Sequence, residues 1–333
     1  MRKIMKADKS STFSIKCDKA VHVVEFCPYE WADNLFAYGT VSKLTIGKLQ
    51  EDQQSIGFDF EELRSFSLNG ARPVALGWSP ETSLTLLPRV IKFATANHDF
   101  SVRIYSSHLT DDDKVQVAEG HQDYVNDVVF EPHSGERLAS VGDDRTCIVW
   151  DPDGNQLQRI RLCGEGVTVR WHPQQAEQLL VAERKGCVRI LSLQTERILM
   201  SLAVGPSEAT LFSADWCPLN PLLVCAAVTN KWHVWDMSKS NRPITSAETH
   251  VQGARFIRWC SSDSSLVAVA EHMTKQLRVY SLNSPQPVLS TTLLCLSSAP
   301  SWHNRIPLVA MGMDRKVYFW SLEKKKLISQ HAS

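Results

Sequence analysis

Residues 140–151 read SVGDDRTCIVWD, and residues 120–124 read GHQDY. Together they bring a His, adjacent carboxylates, an Arg and a Cys into one short span. Such a cluster is either a catalytic constellation or the internal fittings of a fold. CIVWD is a short run of β-branched and aromatic residues closing on a polar turn, which is how a strand reads. A thiol inside such a run, Cys147, behaves as a small buried hydrophobe and not as a nucleophile. A hydrolase reading of Ser140, His121 and Asp144 lacks the nucleophile-elbow and oxyanion motifs that acyl transfer needs. Fittings are therefore the better reading, with Asp143 and Arg145 as solvated turn residues.

Working outward, the same frame returns along the chain. An aromatic followed two residues later by Pro, or by a turn-forming substitute, occurs at Phe26, Trp78, Phe130, Trp171, Trp216, Trp259 and Trp302. The steps between these positions are 52, 52, 41, 45, 43 and 43 residues. Repeats of about 40–45 residues are the period of four-stranded propeller blades. Each anchor closes an apolar strand, such as VHVVEF or GVTVRW, and is followed by a small-residue strand such as IKFATA or RLASVG. A short polar turn then leads to a third strand, such as SVRIYS or CVRILS, whose residues alternate with period two. No segment shows a long helical period. The fold expected is all-β, a seven-bladed β-propeller at 12–322, with an extension at 1–11 and a tail at 323–333. Only eleven residues follow Leu322, so TFSIKC (12–17) is expected to supply the outer strand of blade seven and close the ring.

Composition narrows the function. The 333 residues are 43% hydrophobic, enough for a large core. Lys plus Arg equals Asp plus Glu at 36 each, so the basic excess of a general nucleic-acid or membrane-surface binder is missing. Nine Cys, scattered and without a Cys-x-x-Cys, signal neither a zinc ribbon nor a redox pair and suit a reducing compartment. The basic start MRKIMKADKSS has no apolar stretch behind it and is not read as a secretory signal. Phosphate-binding glycine loops are lacking. No enzyme, cofactor, metal or small-molecule substrate is expected.

Other candidates have plain readings. His172 and His303, each after an anchor Trp, are expected to be solvated. DDDK (111–114) reads as an exposed acidic loop, because a calcium loop needs ligands at set spacing and a Gly. SSDSS (261–265) reads as a turn, and KKK (324–326) is too short for a firm nuclear address. Blades one and two carry extra length at 51–63 and 81–90. Long loops on a rigid scaffold are either tolerated drift or binding elements. Phe58, Phe60, Leu84, Leu86 and Leu87 favour an interface, because exposed apolar loop residues need cover. With Tyr29 and Trp31 they are the candidate partner-binding residues.

The Gly-His to Trp-Asp frame of blade three resembles the WD-repeat family. That resemblance implies a hydrogen-bonded structural tetrad of His121, Ser140, Asp144 and Trp150. Blade five keeps WHVWD without Gly-His, and blades four, six and seven carry Leu191, Tyr280 and Trp320 followed by Ser. A closer likeness covers nearly the whole chain. VHVVEFCPYE (21–30), NLFAYG (34–39), WSPETSLTLLPRVIKF (78–93), AEGHQDYVNDVVFEP (118–132) and SWHNRIPLVAMGMDRKVYFW (301–320) resemble the small WD-repeat nucleoporins of the Y-shaped complex in the outer rings of the nuclear pore. The blade-two segment is the most specific of these, and the tail after Trp320 is longer than the family pattern.

The resemblance implies a non-catalytic scaffold in the nuclear envelope at the pore, serving pore assembly and transport of mRNA and protein. Its implied partner is the large propeller-plus-helical-solenoid nucleoporin in the short arm of the Y and, through it, other nucleoporins of the complex. It also implies kinetochores in mitosis. Direct binding of nucleic acid or insertion into a membrane is not implied. The alternative is a peptide-reading adaptor for a histone-modifying or ubiquitin-ligase complex, which would use a charged or aromatic channel mouth.

Overall fold

The structure is a computed structural model that describes residues 11–51, 58–110, 113–204, 209–249, 253–284 and 286–323. Among the described residues, twenty-eight strands form seven four-stranded antiparallel sheets. Six sheets take four consecutive strands each. The seventh is assembled from both ends of the chain. Phe13–Lys16 pairs antiparallel with Lys316–Ser321, with Phe13 opposite Phe319 and Lys16 opposite Lys316. The N-terminal strand thus closes the ring. Closure completes the seventh sheet and leaves each inner strand as a short edge facing the channel.

The core is a ring of seven seams. Each hydrophobic cluster draws its residues from two neighbouring blades, running one–two, two–three and so on to seven–one. That explains the sequence pattern. The second and third strands of a blade are covered on both faces by neighbouring blades, so Leu138–Gly142 and Thr146–Trp150 are buried at every position. Outer strands meet solvent on one face and alternate, as in Thr245–Glu248.

The anchor tryptophans tie the seams. Trp78 Nε1 donates to Glu25 O at 3.3 Å, Trp171 Nε1 to Val129 O at 3.1 Å and Trp302 Nε1 to Arg258 O at 3.2 Å. Each acceptor is the residue before the preceding blade's anchor. Trp216 and Trp259 instead cap loops of their own blades, through Pro221 O at 2.7 Å and Ser264 O at 2.9 Å. The seven–one seam has a different stitch. Phe26 N donates to Ser301 Oγ at 2.9 Å, and Ser301 Oγ donates to Glu25 Oε1 at 3.1 Å. Burial pushes the Glu25 carboxyl up to about 8, against the pull of the Arg170 charge.

Two expectations are corrected here. Phe58 and Phe60 do not sit on a loop. They lie on the outer strand of blade one, Phe58–Ser67, which pairs with Lys43–Glu51. Their rings pack into the seven–one seam, with Phe58 at 5.0 Å from Phe13 and Phe60 at 5.9 Å from Tyr38. The remainder of that insertion at 52–57, residues 1–10 and the tail at 324–333 lie outside the described residues. His172 and His303 are buried, not solvated. His172 Nδ1 accepts from the Gln174 and Gln175 amides at 3.0 Å each, and His303 Nδ1 accepts from the Arg305 and Ile306 amides at 3.1 and 3.4 Å. Each imidazole caps the turn that follows its anchor.

Candidate functional site

Blade three brings the four tetrad residues together. His121 Nδ1 is 2.9 Å from Asp144 Oδ2, and His121 Nε2 is 2.7 Å from Ser140 Oγ. Trp150 Nε1 donates to the same Ser140 Oγ at 2.8 Å. Asp144 also accepts from the Gln122 amide at 3.0 Å and from the Thr146 amide and hydroxyl at 3.1 and 2.8 Å. Burial opposes ionisation of Asp144, but the bonds from His121, Gln122 and Thr146 prevail and hold its carboxyl down at about 2. The His121 side chain is wholly buried, and Ser140 is sealed beneath it with no path for a substrate. The arrangement joins the loop before the inner strand to the turn between the second and third strands. Cys147 sits in the same sheet, and burial pushes its thiol up to about 12, which leaves it inert.

The flanking turn residues are less free than expected. Asp143 Oδ1 accepts from Asn126 Nδ2 at 2.6 Å and from Arg184 Nη2 at 3.0 Å, and Arg145 Nη2 reaches Glu165 at 3.3 Å. Both therefore link blade three to blade four. Of the acidic stretch 111–114, Asp113 takes Arg64 at 2.9 Å, tying blade two to blade one, while Asp111 and Asp112 lie outside the described residues. Asp263 in the 261–265 stretch folds its turn by accepting from Ser265 N and Oγ at 2.8 and 2.7 Å. Among the described residues no group of His, Cys, Asp and Glu is placed to hold a metal ion.

The loops that leave the inner strands form what is here called the lower face. Of the seven candidate partner-binding residues, five gather there at blades one and two. Tyr29 is buried, donates to Trp78 O at 3.1 Å and stacks on Trp31 at 5.1 Å and 14°. Trp31 Nε1 donates to Thr82 O at 2.9 Å, which joins the blade-one loop to the blade-two loop. Beyond Thr82, a bridge between Ser83 and Val90 closes a small hairpin. Leu84 packs back on the one–two seam, whereas Leu86 and Leu87 stand 69% and 87% exposed at the tip, and Trp31 is 48% exposed. An apolar tip held by a fixed base suits a protein contact, because its ordering cost is already met. Phe58 and Phe60 are not part of this surface.

The comparisons with known proteins follow from the whole chain. The family model described as "WD domain, G-beta repeat" matches residues 113–151, which take in the outer strand of blade two and the first three strands of blade three. Nucleoporin Nup37 of Mus musculus is 38% identical over 326 residues, covering 95% of this chain and 98% of that protein. Nucleoporin Nup37 of Homo sapiens is 36% identical over 95% of this chain and 98% of that protein. The Drosophila melanogaster Nup37 is 30% identical over 98% of this chain and all of that protein. The chain belongs to the Nup37 family of nucleoporins.

In this Nup37-family chain, blade three alone keeps a complete polar tetrad among the described residues. Trp235 and Trp320 occupy the matching third-strand position in blades five and seven, but Ala226 and Met311 stand where Ser140 stands. Their indole N–H groups are buried without an acceptor among the described residues, so packing alone holds those rings. Sequence reasoning missed the channel-wall charges. Arg170 Nη1 meets Asp127 Oδ2 at 2.5 Å and Arg170 Nε meets Asp215 Oδ1 at 3.1 Å. Their only signal was a charged residue inside an otherwise apolar inner strand, as in GVTVRW and LFSADW.

Proposed function

We propose that this chain is a non-catalytic scaffold subunit of the outer-ring Y-complex of the nuclear pore. In this reading it supports pore assembly and the transport of mRNA and protein. Residues 12–322 act as one rigid propeller, with 1–11 as an extension and 323–333 as a tail. The partner is the large propeller-plus-solenoid nucleoporin of the short arm, docked on the lower face at blades one and two through Trp31, Leu86 and Leu87. The likeness to Nup37 proteins over almost their full length supports the assembly. The observation that carries the docking face is the exposed Leu86–Leu87 tip braced on Trp31. The histone-modifying or ubiquitin-ligase alternative gains nothing from these relatives.

A fluorescent fusion of the full chain in living cells tests the assembly. A punctate nuclear rim is the expected result, and diffuse nucleoplasm or cytosol would overturn the proposal. The same fusion in dividing cells reads the kinetochore association that belongs to this proposal.

A further inference from the structure

We propose that the upper mouth of the central channel binds an acidic protein segment, one presenting clustered carboxylates or phosphates. This site lies at the starts of the inner strands, opposite the lower face, and does not rest on the docking proposal above. It begins with a repeated irregularity. In six of the seven blades the inner strand carries one extra residue at its second position: His22, Val74, Asn126, Val167, Phe212 and Arg255. A bulge turns its side chain away from the ladder. All six of these residues line one cavity of about 460 Å3 at the mouth.

The cavity has more positive than negative charge, and its carboxylates are already engaged. Four arginines line it, Arg72, Arg184, Arg255 and Arg258, against Asp127 and Asp143. Asp127 is taken by Arg170, and Asp143 by Arg184 and Asn126. Arg258 faces Asp215 at 3.8 Å. Arg72 and Arg255 are left with no carboxylate within ion-pair distance among the described residues. Arg72 meets the His98 ring, and the Arg255 guanidinium lies 5.7 Å from the Phe256 ring centre. Burial, and after it the Arg72 charge, lowers the pKa of both His22 and His98, and burial followed by Arg184 lowers that of Arg255.

The rim adds an aromatic shelf. Phe100 and Tyr124 are both over a third exposed and stand 5.2 Å apart edge to face, with His98 4.8 Å from Tyr124. The size and the overall charge select the ligand. About 460 Å3 admits a few side chains of an extended peptide but not a duplex, and the chain as a whole has no net charge to hold a nucleic acid.

The test uses the full chain and labelled peptides read by fluorescence anisotropy. Hexaglutamate and its phosphoserine counterpart are the probes, with hexaglutamine as the neutral control. At least one acidic probe is expected to bind, with affinity falling as salt rises, and hexaglutamine is expected not to bind. Changing Arg72→Glu together with Arg255→Glu should weaken binding more than tenfold while leaving the melting temperature and nucleoporin co-purification unchanged. A preference for the phosphoserine probe would assign the site to phosphate, and equal binding would assign it to carboxylate. Binding of neither acidic probe, equal binding of hexaglutamine, an unaffected double variant, or displacement of the peptide by duplex DNA would each overturn the proposal.

Discussion

Replacing Asp144 by Ala removes one carboxylate that receives four hydrogen bonds. The Gln122 amide is near the surface and can turn to water. The Thr146 hydroxyl, 3.3 Å from His121 Nδ1, can accept the ring N–H in the carboxylate's place, but it loses its own acceptor and the bond is longer. The Thr146 amide is left in the interior without an acceptor. An orphaned buried donor costs about 1–3 kcal/mol, so a loss of about 2–3 kcal/mol is expected once partial rescue is allowed for. For 333 residues, an unfolding entropy of about 2.1 cal/mol/K per residue gives about 0.7 kcal/mol/K, so the melt should fall by roughly 3–4 °C. Tryptophan fluorescence in urea measures the free energy, and scanning calorimetry the melt. The pH dependence is a second signature. The folded carboxyl sits at about 2, below its ordinary 3.8. Its contribution is therefore complete above the ordinary value and is lost as pH falls from there through about 2. The Ala variant should show a flatter acid limb over that window. A change under about 0.5 kcal/mol with an unaltered melt would refute the structural reading of the tetrad. Loss of partner binding at unchanged stability would return function to this cluster.

Deleting residues 1–17 removes the strand paired with Lys316–Ser321 and the Phe13 ring stacked 4.1 Å from Phe319. A loss of about 3–5 kcal/mol is expected in urea denaturation, and an unchanged midpoint would contradict ring closure. Phe58→Asp buries a charge in the seven–one seam and should cost about 2–4 kcal/mol, while Leu87→Asp on the exposed tip should cost under about 0.5 kcal/mol. Equal melts for the two would dissolve the distinction drawn between seam and surface. In native protein at pH 8 a thiol reagent should modify exposed Cys163 quickly and Cys147 only after unfolding, because burial holds the Cys147 thiol up at about 12. Mass spectrometry of the labelled peptides decides it.

The repeat was legible because each blade is covered on both sides by its neighbours. That burial forces apolar runs on the inner three strands and an aromatic at each seam, and both survive in sequence even where the polar tetrad has decayed. Outer strands are covered on one face only, so Phe58–Ser67 carries Asp59, Glu61, Glu62 and Arg64 and reads as a charged loop. Phe58 and Phe60 therefore looked exposed when they are seam residues. Trp31 and Leu87 read correctly as loop residues because their loops hang on fixed seam positions. The channel was not legible. Asp127, Arg170 and Asp215 come from three blades and meet only when the ring closes. The bulges that aim His22 and Arg255 into the upper mouth depend on strand register, which a pattern of apolar residues does not encode.

The proposed docking seats the large solenoid nucleoporin on the lower face at blades one and two. Trp31→Asp combined with Leu87→Asp should leave the propeller folded, because Leu87 is largely exposed and Trp31, about half exposed, gives up only its stack on Tyr29 and its bond to Thr82 O. Purified with the large nucleoporin, the wild-type chain should elute as a complex. The double variant should melt within a few degrees of wild type and elute separately, with affinity reduced by at least tenfold, the scale of a lost central aromatic contact. Co-elution of the folded double variant at wild-type affinity would contradict the account and move the docking surface elsewhere on the propeller.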